Sequence, residues 1–160
     1  TTAVDSSETF KTTGGRTVYG GGGIRPDLLV VSDTFTAGER AFMRALGGKI
    51  PIYRDVISTY ALELKAQGGL TDPSFAVGAP MVDEVLRRLA AKDVAVDRDT
   101  AAGARALIAQ DLGYEISRYV FGRDAEFRRR MGDDRQIQEA LRIARRARTP
   151  QELFTLDRSA

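Results

Sequence analysis

Along most of the chain, apolar positions recur at intervals of three and four, the spacing that lines one face of an α-helix. Phe42, Met43 and Leu46 form the first such stripe, just behind Thr36-Ala37-Gly38-Glu39. That tetrapeptide has the form of a capping box, with Thr36 as N-cap and Glu39 reaching back. A helix is therefore predicted over Thr36–Leu46, ended by Gly47-Gly48. Val56, Ile57, Tyr60, Ala61 and Leu64 predict a second over Ile52–Gln67, stopped by Gly68-Gly69. Thr71–Pro80 reads as a loop that holds Phe75 and Val77 against the core. Val82, Val85, Leu86 and Leu89 predict a third helix over Met81–Lys92. The longest begins at Asp97 or Asp99, either a good N-cap. It carries Ala101, Ala104, Leu107, Ile108, Leu112 and Ile116 to the neighbourhood of Phe121, where Gly122 ends or kinks it. A short Arg-rich segment, Asp124–Met131, is followed by Gly132. Ile137, Ala140, Leu141 and Ala144 predict a last long helix over Asp134–Arg148. Thr149-Pro150-Gln151-Glu152 has the form of another capping box, with Pro at the first helical position.

The first third has another texture. Thr9–Thr13 and Arg16–Tyr19 read as two strands, and Gly14-Gly15 as the two-residue turn between them, because a tight hairpin turn needs positive φ. Gly20, Gly21, Gly22 and Gly23 follow, then Ile24-Arg25-Pro26-Asp27. Leu28–Ser32 reads as one more short buried strand. So little sheet cannot stand alone and needs a larger sheet or a helix layer. The fold class is mainly α: a multi-helix domain over residues 34–160 behind a short β segment within residues 1–33.

Composition narrows the chemistry. The 160 residues fit one ordinary domain, or a domain with an appendage, and 42% are hydrophobic, enough for a sizeable core. The longest apolar run, Leu28–Val31, is far too short to span a bilayer. Thr1–Thr9 lacks the basic start and apolar stretch of a signal peptide. There is no initiator Met, which fits a piece that begins within a longer protein. The chain has no Cys and no His. That removes most zinc sites, every Cys nucleophile and every His-based triad. No metal site and no cofactor is expected. A net charge of +2 is too small to imply nucleic acid as a partner.

Several residues invite a functional reading. The Gly20–Gly23 run suits a close approach to a peptide or phosphate, or a tight crossing where no Cβ fits. It lacks the ending of a P-loop and the spacing of a dinucleotide fingerprint. Arg16 and Asp27 pair across the glycine turn in one reading and face solvent in the other. Pro26 biases Arg25 to extended geometry. The arginines Arg123, Arg128, Arg129, Arg130, Arg135, Arg142, Arg145, Arg146 and Arg148 are interleaved with Asp124, Glu126, Asp133, Asp134 and Glu139. A solvated, locally paired helix face is favoured over a basic binding surface. Tyr53, Tyr60, Tyr114, Tyr119, Phe121 and Phe127 are assigned to helix-packing faces. Asp83 with Glu84, and Asp133 with Asp134, are sequence neighbours that do not face each other on a helix, so neither makes a catalytic pair.

The stretch from Phe10 to Asp27 resembles one found late in carboxyl-terminal processing (tail-specific) serine peptidases. There a strand ending in Gly-Arg leads to a Gly-rich turn and then Gly-Ile-x-Pro-Asp. The stretch covers about a tenth of the chain, and its matching positions are Gly15, Arg16, Gly20, Gly21, Gly22, Gly23, Ile24, Pro26 and Asp27. The resemblance implies an extracytoplasmic (periplasmic or secreted) endopeptidase that uses a Ser-Lys dyad, in which Lys is the general base. Both dyad residues lie upstream of this segment in the family. Lys11 is wrongly placed to be the base, and Ser6 and Ser7 sit in a polar lead. The resemblance thus implies a non-catalytic piece with no catalytic residue of its own. Residues 1–33 would end the peptidase core sheet, and 34–160 would be a helical carboxyl-terminal domain for stability, assembly or access control. Its partners would be the rest of the peptidase and a polypeptide substrate. Cut from that core, the first segment can fray, fold back on the helices, or pair with the same segment of another copy. Pairing into a homodimer is favoured, since Leu28–Val31 would otherwise stay wet. The alternative to the peptidase reading is a free-standing helical protein–protein interaction module.

Overall fold

Thr36 and Glu39 form the reciprocal cap that their spacing predicts. Thr36 Oγ1 accepts from the Glu39 backbone N–H at 3.2 Å, and Glu39 Oε2 accepts from the Thr36 N–H at 2.7 Å. In the computed structural model, which describes residues 9–15, 17–20, 28–31, 34–150 and 152–153, this cap opens helix α1, Ala37–Leu46. The chain divides into two units, one of Ser32–Gln138 and the other of Thr1–Val31 with Glu139–Ala160.

The larger unit is helical. Gly47–Lys49 make a 3₁₀ turn that runs directly into α2, Ile50–Gln67. Helix α2 starts before the predicted Ile52 because Pro51 suits a first turn, where its missing N–H costs nothing. Gly68 closes α2 in the left-handed region (φ +70°), a conformation glycine adopts without strain. Helix α3 is Ala79–Ala90, with Pro80 again in the first turn, so Ala79 and Pro80 leave the predicted loop. Asp97 caps α4, Arg98–Ile116, by accepting from the N–H groups of Asp99 and Thr100. A π-helical turn over Ser117–Phe121 continues it to Gly122, whose φ of +95° breaks the helix. The Arg-rich segment is a full helix, α5, Arg123–Asp133, which runs through Gly132 rather than ending at it.

One core serves this unit. Phe42 and Leu46 from α1, Val56, Ile57 and Ala61 from α2, and Val82, Val85 and Leu89 from α3 are buried with Ala104, Ile108, Leu112 and Ile116 of α4. Helix α4 is the hub and packs against α1, α2, α3 and α5. Two glycines set its crossing with α1: a Cβ on Gly38 would lie 2.6 Å from the Gly103 Cα. The loop before α3 is pinned by Arg129, which donates to the Phe75 carbonyl at 3.2 and 3.3 Å and lies 4.4 Å over the Phe75 ring. Phe75 in turn stacks on Phe121 at 5.8 Å, as expected for a loop residue held on the core.

Ser117, first residue of the π turn, is wholly buried, and its hydroxyl has no hydrogen-bond partner among the described residues. A buried, unpaired hydroxyl costs about 1–3 kcal/mol. Ser117→Ala should therefore leave the thermal midpoint unchanged or raise it by a few degrees. A fall of comparable size in a melting curve would mean that the hydroxyl is bonded in solution.

The smaller unit holds strands β1, Thr9–Lys11, and β2, Thr17–Tyr19, paired antiparallel with Lys11 opposite Thr17. This register differs by one from the predicted one. A two-residue turn at Gly14-Gly15 would have set Thr13 opposite Arg16. Instead the Gly15 N–H donates to the Thr12 carbonyl at 2.8 Å, and Gly15 takes φ +79°. That geometry is the three-residue connection, a turn closed by a left-handed glycine. Leu28–Val31 is not a strand: Leu29 is 80% and Val31 69% exposed, and no ladder receives them among the described residues. Helix α6, Arg135–Arg146, is capped by Asp134, whose carboxylate accepts from the Gln136 and Ile137 N–H groups. None of its residues is buried.

Candidate functional site

Within the helical unit a cleft of about 520 Å³ is lined from α1, α2, α4, α5 and the π turn. That volume lies in the range of small-molecule sites. Apolar side chains of Met43, Ile50, Ile57 and Leu107 line part of it. Two hydroxyl–carboxylate pairs join α2 to α4 there. Tyr53 Oη donates to Asp111 Oδ2 at 2.9 Å, and Ser58 Oγ donates to Glu115 Oε2 at 2.9 Å. Asp111 and Glu115 are four apart, so both carboxylates fall on one face of α4.

Burial shapes the electrostatics. Desolvation pushes the Asp111 carboxyl above its ordinary value, against the Tyr53 hydrogen bond and the Arg130 charge. Desolvation and the Asp111 charge hold the Tyr53 hydroxyl protonated far above the usual phenol range. Tyr53 is thus a fixed donor rather than a nucleophile. Tyr114 is pushed up to about 12, first by burial and then by its hydrogen bond to Asp133. Arg130 lies 4.0 Å over the Tyr114 ring and pairs with Glu126 at 2.9 Å. Arg54 and Arg118 complete the charged lining. No lysine lines the cleft, so no Ser-Lys dyad is assembled in it.

A raised carboxyl gives stability a definite pH dependence. In the window between the unfolded and folded values of Asp111, the native state holds the proton and the unfolded state does not. By linkage, this contribution is complete below the unfolded value and is lost as pH rises through the folded one. Asp111→Asn keeps an acceptor for Tyr53 and cannot ionise. Its stability relative to the parent should be smallest near pH 3.5 and grow toward pH 7. Urea midpoints of both proteins across that range check this, and a difference that does not change with pH would contradict it.

Of the motif residues, Gly15 and Gly20 are described. Gly15 is the left-handed turn residue of the hairpin, and Gly20 follows β2. Arg16, Gly21, Gly22, Gly23, Ile24, Pro26 and Asp27 lie outside the described residues, and so does the Arg16–Asp27 pairing. The acids separate as helix geometry requires: Asp83 pairs with Arg105 at 2.7 Å, whereas Glu84 takes Arg87 and Arg88 at 2.7 and 2.6 Å. Asp133 serves Tyr114 and Asp134 caps α6. Arg142 pairs locally with Glu139 at 2.5 Å, as does Arg130 with Glu126. Tyr53 and Tyr114 are buried and Tyr60, Tyr119 and Phe121 half-buried, but Phe127 is 63% exposed and packs no core. It sits on α5, which has no buried residue of its own.

Among the described residues no helix is long and apolar enough to cross a membrane, and no group of three His, Cys, Asp or Glu residues could hold a metal ion. Comparison of the chain with protein-family models, curated proteins and solved structures finds no match.

Proposed function

We propose that this chain is the carboxyl-terminal, non-catalytic region of an extracytoplasmic carboxyl-terminal processing serine endopeptidase. The helical unit would support stability, assembly or access to the catalytic core. The observation that carries the reading is the hairpin. A two-stranded sheet is marginal by itself in water. Among the described residues β1 and β2 pair only with each other, and Phe10 and Tyr19 are each 54% exposed. Such a hairpin is what remains when the neighbouring strands of a larger sheet are taken away, and it carries the Gly15 end of the motif.

The coding sequence on the 5′ side of Thr1 is the direct test. It should encode a Ser nucleophile and, downstream of it, a Lys base. The chain alone should not turn over an unfolded protein with an apolar carboxyl terminus, while the same chain joined to that upstream region should. A 5′ sequence without the dyad, or turnover by the chain alone, would overturn the reading.

A helical interaction module is the second reading. Helix α6 favours it, because Ile137 and Leu141 repeat on one side of a helix in which nothing is buried. Self-pairing through the N-terminal segment belongs to the first reading. Exposed Leu29 and Val31 supply its driving force. Deleting Thr1–Pro26 should leave a folded helical body with weaker self-association. Light scattering that gives a monomer before and after the deletion would count against pairing.

A further inference from the structure

We infer that the cleft between α2 and α4 binds a carboxylate that carries an apolar chain. Two features select this class. The first is the lining of Met43, Ile50, Ile57 and Leu107, which accepts hydrocarbon. The second is the state of the arginines. Arg130 is occupied by Glu126 and Tyr114. Arg54 and Arg118 also line the cleft, but among the described residues neither makes a hydrogen bond or an ion pair. Arg118 only lies 5.7 Å from the Tyr119 ring, and Arg54 only adds its field to Asp111. Each guanidinium keeps its donors open, and a planar fork of donors matches a carboxylate.

The acids of the cleft do not compete for that role. Asp111 and Glu115 already accept from Tyr53 and Ser58. Burial favours the neutral form of Asp111, which weakens the case for a cationic ligand further. The inference does not depend on the peptidase reading, and an upstream sequence without a dyad leaves it intact.

The ligand can come from a lipid-derived acid or from the apolar carboxyl end of a polypeptide. Isothermal titration of the whole chain with decanoate below its micellar concentration, with decylamine, and with a short apolar peptide as free acid and as amide separates these. Decanoate should bind at least tenfold more tightly than decylamine. Arg54→Gln combined with Arg118→Gln should weaken decanoate by tenfold or more with unchanged helical circular dichroism. Both side chains are exposed, so folding should not depend on them. A peptide preferred as acid over amide assigns the source to a polypeptide end. Decanoate binding without either peptide assigns it to a lipid-derived acid. Decylamine that binds as well as decanoate, or a folded double variant with undiminished affinity, would overturn the inference. The comparison of decanoate with decylamine on the parent protein needs no variant.

Discussion

Gly103→Ala should destabilise the helical unit by about 2 kcal/mol, although alanine is the better helix former. Propensity alone would gain about 1 kcal/mol in a helix interior. Here the new Cβ meets the Gly38 Cα at 2.8 Å, and Gly38→Ala meets the Gly103 Cα, O and C at 2.6 to 2.8 Å. These neighbours are backbone and cannot swing away as a side chain would. Helix α1 must shift, and overpacking of this kind costs roughly 1–3 kcal/mol or more. Its shift also disturbs Phe42 and Leu46, both buried against the hub. Gly132→Ala is the matched control. It lies inside α5 and its Cβ would meet nothing within 4 Å, so it should stabilise by several tenths of a kcal/mol. Urea unfolding of the variants therefore gives opposite signs for one chemical change. Equal signs would mean that the α1–α4 approach is looser in solution.

Features set by neighbouring residues were legible in the sequence. The Thr36–Glu39 box, the Asp97 cap and the Gly68 stop each follow from groups within a few residues, and each stands where its spacing puts it. The same holds for the apolar stripes of α2 to α4. Failures came where two locally reasonable outcomes compete. Gly14-Gly15 permits both a two-residue and a three-residue turn, and the bond from Gly15 to Thr12 selects the longer one. Leu28–Val31 has strand composition, yet a strand needs a ladder that local sequence cannot supply. The cleft depends on partners 58 and 57 residues apart, Tyr53 with Asp111 and Ser58 with Glu115. One signal was present: Asp111 and Glu115 interrupt the apolar run Leu107, Ile108, Leu112 and Ile116, and acids on a buried flank need partners. Gly38 and Gly103 carried a signal as well, since glycine inside a helix costs stability unless something approaches closely.

Phe42→Ala should produce the largest loss, about 3–5 kcal/mol, the range for deleting a fully buried aromatic ring. Phe42 is 0% exposed and meets Tyr53 edge to face, with ring centroids 5.4 Å apart and planes at 80°. Such a pair adds roughly 0.5–1.5 kcal/mol beyond burial. The consequence reaches the cleft, because Tyr53 is also the donor that fixes Asp111. With Phe42 gone, the Tyr53 ring has a void beside it and loses a single preferred position. The near-ultraviolet circular dichroism, which comes mainly from tyrosine in a chain without Trp, should weaken even where the far-ultraviolet helical signal persists. Phe42→Leu keeps most of the volume and should cost less, about 1–2 kcal/mol, while also losing the ring pair. A cycle that combines Phe42→Leu with Tyr53→Leu should return a coupling near the pair value, since the two rings touch. Additive losses, with an unchanged tyrosine signal in Phe42→Ala, would show that Phe42 fills space without positioning Tyr53.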